Sequence, residues 1–122
     1  MVEALVGRAR DESLFDALND EIAAPHLLDI EVLSVLRGLV LGRKLTDDEA
    51  VVARAHYFGL FIERHDTASL ADRIWQLRHG YTAYDAAYIA LAEALRAPLH
   101  TCDAKLSGGS HHAVVHLHGQ SH

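Results

Sequence analysis

The sequence contains little of what marks a secreted, membrane-spanning or nucleic-acid-coating protein. A single cysteine, Cys102, excludes an internal disulfide bond and favours a reducing compartment. No apolar run approaches the roughly 20 residues that a membrane-spanning helix needs, and no signal-like segment follows Met1. Acidic residues outnumber basic residues by 17 to 11, so the net charge of −6 argues against binding nucleic acid mainly through the overall field. We therefore expect a cytoplasmic protein.

The patterns that are present predict one α/β domain over residues 1–122. Half of the residues are hydrophobic and 23% are charged, which is the balance of an ordinary globular protein. Helical and strand-like segments alternate, as in domains with a mostly parallel sheet. The predicted helices cover residues 1–8, 11–19, 26–45, 46–58, 69–79 and 84–95. Thr46 and Glu49 have the spacing of a capping box at the start of the fourth of these helices. The predicted strands cover residues 21–25, 60–65, 97–102 and 112–118.

Asp85 lies in the first turn of the most apolar predicted helix and has two interpretations. Thr82 and Asp85 have the spacing of a capping box, which would give the aspartate a purely structural role. The helix behind it contains Glu93 as its only other charge, so we expect this helix to be buried almost all round. Its first turn would then lie at the ends of the strands, where sites form in parallel sheets. The pattern is therefore compatible with a cap and with a metal ligand.

Glu31 and Asp103 are the other candidate carboxylates. Glu31 falls on the border of the apolar stripe of its helix, beside Ser34 and Gly38, where there is room for a ligand. Asp103 directly follows a predicted strand and could equally cap the turn after it. Taken alone, Glu31 could equally be a surface glutamate. Carboxylates that converge repel one another, and a divalent cation relieves that repulsion. A set of oxygen ligands suits Mg²⁺ or Mn²⁺ better than zinc, so convergence with Asp85 is our hypothesis for a metal site.

Three segments resemble the PIN-domain ribonucleases, and specifically the VapC toxins of type II toxin–antitoxin pairs. The segments are "APHLLDIEVLSVLRGL", "FIERHDT" and "TAYDAAYIALAEALRAPLHTCDAKL", which occur in the family's order. The resemblance implies a PIN-like fold with a five-stranded parallel sheet and cleavage of single-stranded RNA that depends on Mg²⁺ or Mn²⁺. It also implies a homodimer and inhibition by a VapB-type antitoxin. Glu31, Asp85 and Asp103 match three members of the family's acidic quartet, and Thr101 matches a polar residue that helps to orient the last of them.

One departure from the family concerns the first strand. Family members begin with a short apolar strand that ends in an aspartate, whereas this sequence opens at "MVEAL", which matches the helix that follows that strand. Asp11 and Asp16 do not replace the aspartate, because they lie beyond Gly7 in another predicted helix. A start further upstream would explain the difference, and so would a decayed toxin that still binds its partner. We favour the first explanation, since the other three acidic positions are present.

These observations predict a metal-dependent endoribonuclease in which Glu31, Asp85 and Asp103 hold the metal. The competing hypothesis is a non-catalytic PIN-domain protein that engages an antitoxin through the same acidic cleft without cutting RNA. Candidate contacts to RNA phosphates are Arg37, Arg43 and Lys44, which follow Glu31 along its helix and could equally be solvated charges. The histidines of "HHAVVHLHGQSH" are interpreted as one solvated face of a strand rather than as a zinc site. Asp29 is expected to point towards water, and Trp75 is expected to pack in the core or in a dimer contact.

Overall fold

The computed structural model describes residues 4–7, 22–101 and 111–117, and these residues confirm the α/β class. The strands are β1 Ala4–Gly7, β2 Ile22–Pro25, β3 Ile62–His65, β4 Leu99–Thr101 and β5 Val115–Leu117. The α-helices are α1 Leu27–Leu41, α2 Asp47–Gly59, α3 Ala71–Gln76 and α4 Ala83–Leu95, and a short 3-10 helix, Ala68–Leu70, precedes α3. Every strand and helix predicted between residues 21 and 101 is confirmed to within a few residues. The helix predicted over residues 11–19 and Asp103 lie outside the described residues.

The sheet has the strand order β3-β2-β1-β4-β5. β2 pairs in parallel with β3, and β4 pairs in parallel with β5. β1 lies between the two pairs and is antiparallel to both of its neighbours. Four of the five described strands therefore run in one direction, as expected for a mostly parallel sheet, and the central strand runs in the other.

The prediction of a helix over residues 1–8 is wrong for Ala4–Gly7, which form β1. Four residues are too few for apolar periodicity to separate a helical turn from a strand. Within the sheet, Ala4, Leu5 and Val6 pair with β4, while Val6 and Gly7 pair with β2. This segment thus meets backbone hydrogen-bonding needs of two neighbouring strands at once, which a helical turn could not do. We expected the central strand of the sheet to be missing, but β1 occupies that position and runs antiparallel to both of its neighbours.

The described chain forms two compact units. One unit contains the helical hairpin within Leu27–Phe61, and the other contains the sheet with α3 and α4. In the sheet unit, α4 packs on β1, β2 and β4, and its residues 86–92 are all buried, which confirms that this helix is enclosed. Leu99 and the alanines of β2 complete this core with no measurable exposure. The single domain over residues 1–122 stays a prediction.

The helical hairpin contains the capping box predicted from the sequence. The Thr46 amide donates to Glu49 Oε1 at 2.9 Å, and the Glu49 amide donates to Thr46 Oγ1 at 3.1 Å. Both bonds satisfy backbone donors that the first turn of α2 would otherwise leave open. The bond from the Thr46 amide is the main reason why the pKa of the exposed Glu49 carboxyl lies below its ordinary value, and the Thr46 side chain lowers it further.

Thr46→Ala is expected to lower the free energy of unfolding by about 1 kcal/mol, because it removes the side-chain acceptor of this cap. Chemical denaturation followed by circular dichroism measures the change. Thr67→Ala is the matched control, since Thr67 precedes the 3-10 helix without a side-chain capping bond. Equal losses in the two variants would contradict the role given to Thr46.

Candidate functional site

The candidate site lies in the sheet unit, at the edge where the parallel strands end. β2, β3, β4 and β5 end there at Pro25, His65, Thr101 and Leu117. The helix α4 ends at Leu95, and β4 begins at Leu99, so this short connection makes α4 run antiparallel to β4. Arg96 reverses the chain in a left-handed conformation with φ of 53°. The first turn of α4 therefore lies at the same edge of the sheet as Thr101.

Asp85 is half-buried in this first turn, and its backbone amide takes part in the helix cap. Thr82 is the N-cap residue, and its hydroxyl oxygen accepts a hydrogen bond from the Asp85 amide at 3.1 Å. The bond to Thr82 thus uses the backbone of Asp85 rather than its carboxylate. Backbone amides at a helix N-terminus favour a negative charge nearby, so this position suits an ionised aspartate.

Glu93 holds the same helix in place from its other half. The Arg73 guanidinium donates to both carboxylate oxygens, from Nε to Oε1 at 2.6 Å and from Nη2 to Oε2 at 3.0 Å. The His112 amide also donates to Oε2, at 2.6 Å. Hydrogen bonding from Arg73 is the main reason why the pKa of Glu93 lies below its ordinary value. Glu93 therefore joins α4 to α3 and to the segment that leads into β5.

The sequence identified Glu93 only as an isolated charge and gave no role to its partners. An acidic side chain on an otherwise buried helix requires a cation or several donors, and this requirement is the signal that could have pointed to Arg73. The separation of 20 residues along the chain hides the pair from any local pattern.

Two histidines and an aspartate also lie at the carboxyl edge, where β2 and β3 end. The His26 amide donates to the His65 carbonyl oxygen at 3.1 Å, which ties the two strand ends together. His65 Nε2 contacts Glu63 Oε1 at 2.7 Å. Asp66 accepts a bond from the Ser69 amide at 3.0 Å, and this bond is the main cause of its lowered pKa. None of these residues was singled out from the sequence.

The remaining predicted ligands are placed as follows. Thr101 is the last residue of β4 and is paired in the sheet with Ala4. Glu31 is half-buried on α1, in the helical-hairpin unit. Among residues 4–7, 22–101 and 111–117, no group of three or more His, Cys, Asp or Glu side chains could hold a metal ion. Convergence of Glu31, Asp85 and Asp103 therefore stays a prediction.

The donors that are described fit the chemistry of a hard divalent cation. Asp85 and Glu31 both present carboxylates that are partly withdrawn from solvent. Carboxylate oxygen is the ligand type that Mg²⁺ and Mn²⁺ prefer. The first turn of α4 adds a fixed backbone frame for one of these ligands. Binding of a cation by Asp85 and Glu31 together stays a prediction.

Other described residues differ from their sequence-based interpretation. Asp29, expected to point towards water, accepts a hydrogen bond from the Tyr57 hydroxyl at 2.8 Å. Trp75 is 67% exposed and so lies outside the core, while its place in a dimer contact stays a prediction. The Arg78 guanidinium lies 4.6 Å from the centroid of the Trp75 ring. No helix among the described residues is long and apolar enough to cross a membrane.

Comparison with known proteins gives a consistent group of relatives, although no family model matches the chain. Ribonuclease VapC1 of Mycobacterium tuberculosis is 39% identical over 110 residues, which cover 88% of this chain and 83% of the relative. Ribonuclease VapC12 of the same organism is 34% identical over 99 residues, or 80% of this chain and 77% of the relative. Ribonuclease VapC9 is 39% identical over 88 residues, or 72% and 69%.

Proposed function

Because the chain belongs to the VapC-type PIN-domain ribonucleases, we propose that it is an endoribonuclease toxin that cleaves single-stranded RNA with Mg²⁺ or Mn²⁺. The observation that carries this proposal is the position of Asp85. A half-buried carboxylate lies in the first turn of a buried helix, at the edge of the sheet where the parallel strands end. That edge is the usual place for a site in a sheet of this kind.

Glu31, Asp85 and Asp103 are the residues that would hold the metal, and Thr101 would orient Asp103 or a bound water. A divalent cation, when bound, activates water and offsets the charge on a phosphodiester. The protein's own contribution is to fix these oxygen ligands. Thr82 holds the first turn of α4 through the Asp85 amide, while Arg73 and Glu93 fix the other half of the helix. Ligands on rigid elements lose little order when the site is occupied.

The proposal extends to the partners and location that accompany this family. We propose a VapB-type antitoxin as the protein that neutralises the enzyme, a homodimer as its assembly, and the cytoplasm as its location. The net charge of −6 suits an antitoxin whose arginines enter an acidic cleft. RNA would have to be recognised locally, since the overall field repels it.

The direction of β1 favours a second candidate function, which is antitoxin binding without RNA cleavage. Gly7, the last residue of β1, pairs with Ile22, the first residue of β2, so β1 ends at the edge opposite the site. Ala4–Gly7 contain no acidic residue, so β1 itself supplies no ligand at the edge where the site lies. A site with one acidic ligand fewer would bind its metal less tightly and could retain partner binding alone.

Cleavage of a mixed-sequence single-stranded RNA separates the two functions. The RNA is incubated with the full chain in Mn²⁺, in Mg²⁺ and in EDTA, and the products are resolved on a denaturing gel. Cleavage that requires the metal supports the ribonuclease. A chain that is folded by circular dichroism, binds a VapB-type antitoxin and leaves the RNA intact in both metals would support the binding protein instead.

A further inference from the structure

The end of α3 exposes a tryptophan and a cation that contact each other. Trp75, the only tryptophan of the chain, is 67% exposed. The Arg78 guanidinium lies 4.6 Å from the centroid of its ring, and Arg78 Nη1 donates to the Trp75 carbonyl oxygen at 2.9 Å. An exposed tryptophan is typical of binding surfaces, because a ligand that covers its large ring removes much apolar area from water. The bond to the backbone holds the cation over this ring before any ligand arrives.

The connection that follows α3 leads from this pair to the proposed metal ligand. Leu77 is 3% exposed and anchors the start of the connection in the core. Its carbonyl oxygen accepts hydrogen bonds from the Gly80 and Tyr81 amides, both at 3.1 Å. The chain then enters α4, where Tyr84 is 63% exposed and directly precedes Asp85. An exposed aromatic ring therefore lies at each end of an ordered turn, and the second ring adjoins the candidate site.

The charge of this segment differs from that of the whole chain. Residues 73–84 contain two arginines and no aspartate or glutamate, although the chain has a net charge of −6. Glu93 balances the charge of Arg73, so Arg78 supplies the excess positive charge. A cation beside exposed aromatic rings suits single-stranded RNA, whose bases stack on the rings and whose phosphates bind the cation.

The surroundings of Trp75 favour RNA over a protein as the occupant. The exposed side chains near it along the helix are polar, and they are Asp72, Gln76 and His79. Trp75 is thus an isolated ring in a polar setting, whereas a protein interface is marked by a contiguous apolar patch. A single ring is enough for one base, because stacking needs only one aromatic face.

We propose that Trp75 and Arg78 form a subsite for one nucleotide of single-stranded RNA. The base stacks on the open face of the Trp75 ring, and the Arg78 guanidinium contacts the adjoining phosphate. The bond to the Trp75 carbonyl oxygen uses only part of the donor capacity of the guanidinium. Tyr84 offers a second ring beside Asp85, so the bound strand is led from α3 towards that carboxylate. This inference rests on the proposed ribonuclease, since it names the residues that hold its RNA.

Fluorescence of Trp75 reports directly on this contact, because the chain contains no other tryptophan. The full chain is titrated with a mixed-sequence single-stranded RNA in EDTA, which withholds the metal from the cleavage reaction. The fluorescence is expected to be strongly quenched as a base covers the ring. The same RNA annealed to its complement should quench far less, since its bases are already stacked on one another.

Trp75→Leu and Trp75→Phe separate stacking from apolar contact. The first is expected to weaken RNA binding in EDTA roughly tenfold, while the second keeps an aromatic ring and should stay within about threefold of the wild type. In Mn²⁺, Trp75→Leu is expected to raise KM for RNA and to leave kcat nearly unchanged. Arg78→Gln is expected to weaken binding and to lower the salt dependence by about one phosphate contact.

Phe61→Leu is the matched control, because Phe61 is an aromatic residue that is 83% exposed but belongs to the helical-hairpin unit. It should leave RNA affinity unchanged. Fluorescence that single-stranded RNA does not alter would overturn the inference, whether or not the chain cleaves RNA in Mn²⁺. So would a Trp75→Leu variant that binds RNA as tightly as the wild type, including one whose sedimentation changes, since Trp75 would then be a protein contact. Quenching without cleavage in Mn²⁺ would support the subsite and contradict the proposed enzyme.

Discussion

Asp85→Asn is expected to reduce RNA cleavage by a factor of about 100 or more, because an amide replaces an anionic ligand at the proposed metal site. The same variant is expected to keep its free energy of unfolding within about 1 kcal/mol of the wild type. The Asp85 amide, which donates to Thr82, is unchanged by this substitution. What is lost for stability is the favourable interaction of the carboxylate with the helix N-terminus. Cleavage rates at saturating Mn²⁺, together with urea denaturation, measure both effects.

Thr82→Ala is the matched variant, since it removes the capping hydroxyl and leaves the carboxylate in place. It is expected to cost about 1 kcal/mol of stability and to retain most of the cleavage activity at a temperature where it is folded. Loss of cleavage in Asp85→Asn, together with loss of stability in Thr82→Ala, would show that the Asp85 carboxylate acts as a ligand and the Thr82 hydroxyl as a cap. If Asp85→Asn unfolds the chain, or cleaves RNA at the wild-type rate, Asp85 is a structural residue.

Elements with a clear local pattern, such as a capping box or a continuous apolar run, could be predicted from the sequence. The capping box at Thr46 and Glu49 marked the start of α2, and the continuous apolar run of α4 marked a helix enclosed on nearly all sides. Ala4–Gly7 could not be predicted, because the conformation of four residues is decided by strands distant in the chain. The identity of its neighbours, and not its own composition, makes it a strand.

The sequence predicted the position of Asp85 but not the contacts around it, and its convergence with Glu31 and Asp103 stays a prediction. Asp85 was correctly placed in the first turn of α4, yet Thr82 alone could not show which group of Asp85 meets the cap. The pairing of Arg73 with Glu93 could not be read from spacing, since no periodicity links residues on two helices. Asp29 illustrates the same limit, because its partner Tyr57 belongs to the neighbouring helix of the hairpin.

Glu93→Gln is expected to lower the free energy of unfolding by about 2 kcal/mol, because the Arg73 cation then loses a bidentate anionic partner while partly buried. The Glu93 and Arg73 side chains are 13% and 28% exposed. The side-chain amide that this substitution introduces could still accept one bond, which keeps the loss below that of a fully buried pair. The matched control is Glu63→Gln, which breaks a contact with His65 at a side chain that is 44% exposed. That change should cost about 0.5 kcal/mol or less.

The pH dependence of this loss identifies the carboxylate as its cause. Since folding lowers the pKa of Glu93, its contribution is fully present above the ordinary value of 4.5 and is lost as the pH falls through the folded value. The gap in stability between wild type and Glu93→Gln should therefore be widest near neutral pH and should close in acid. A gap that stays constant down to pH values at which carboxylates protonate would mean that packing, and not charge, accounts for the loss. Asp85 and Glu93 lie on the same helix, α4. If Asp85→Asn loses cleavage but not stability, and Glu93→Gln loses stability, then the first turn of α4 serves the reaction and its other half serves the fold.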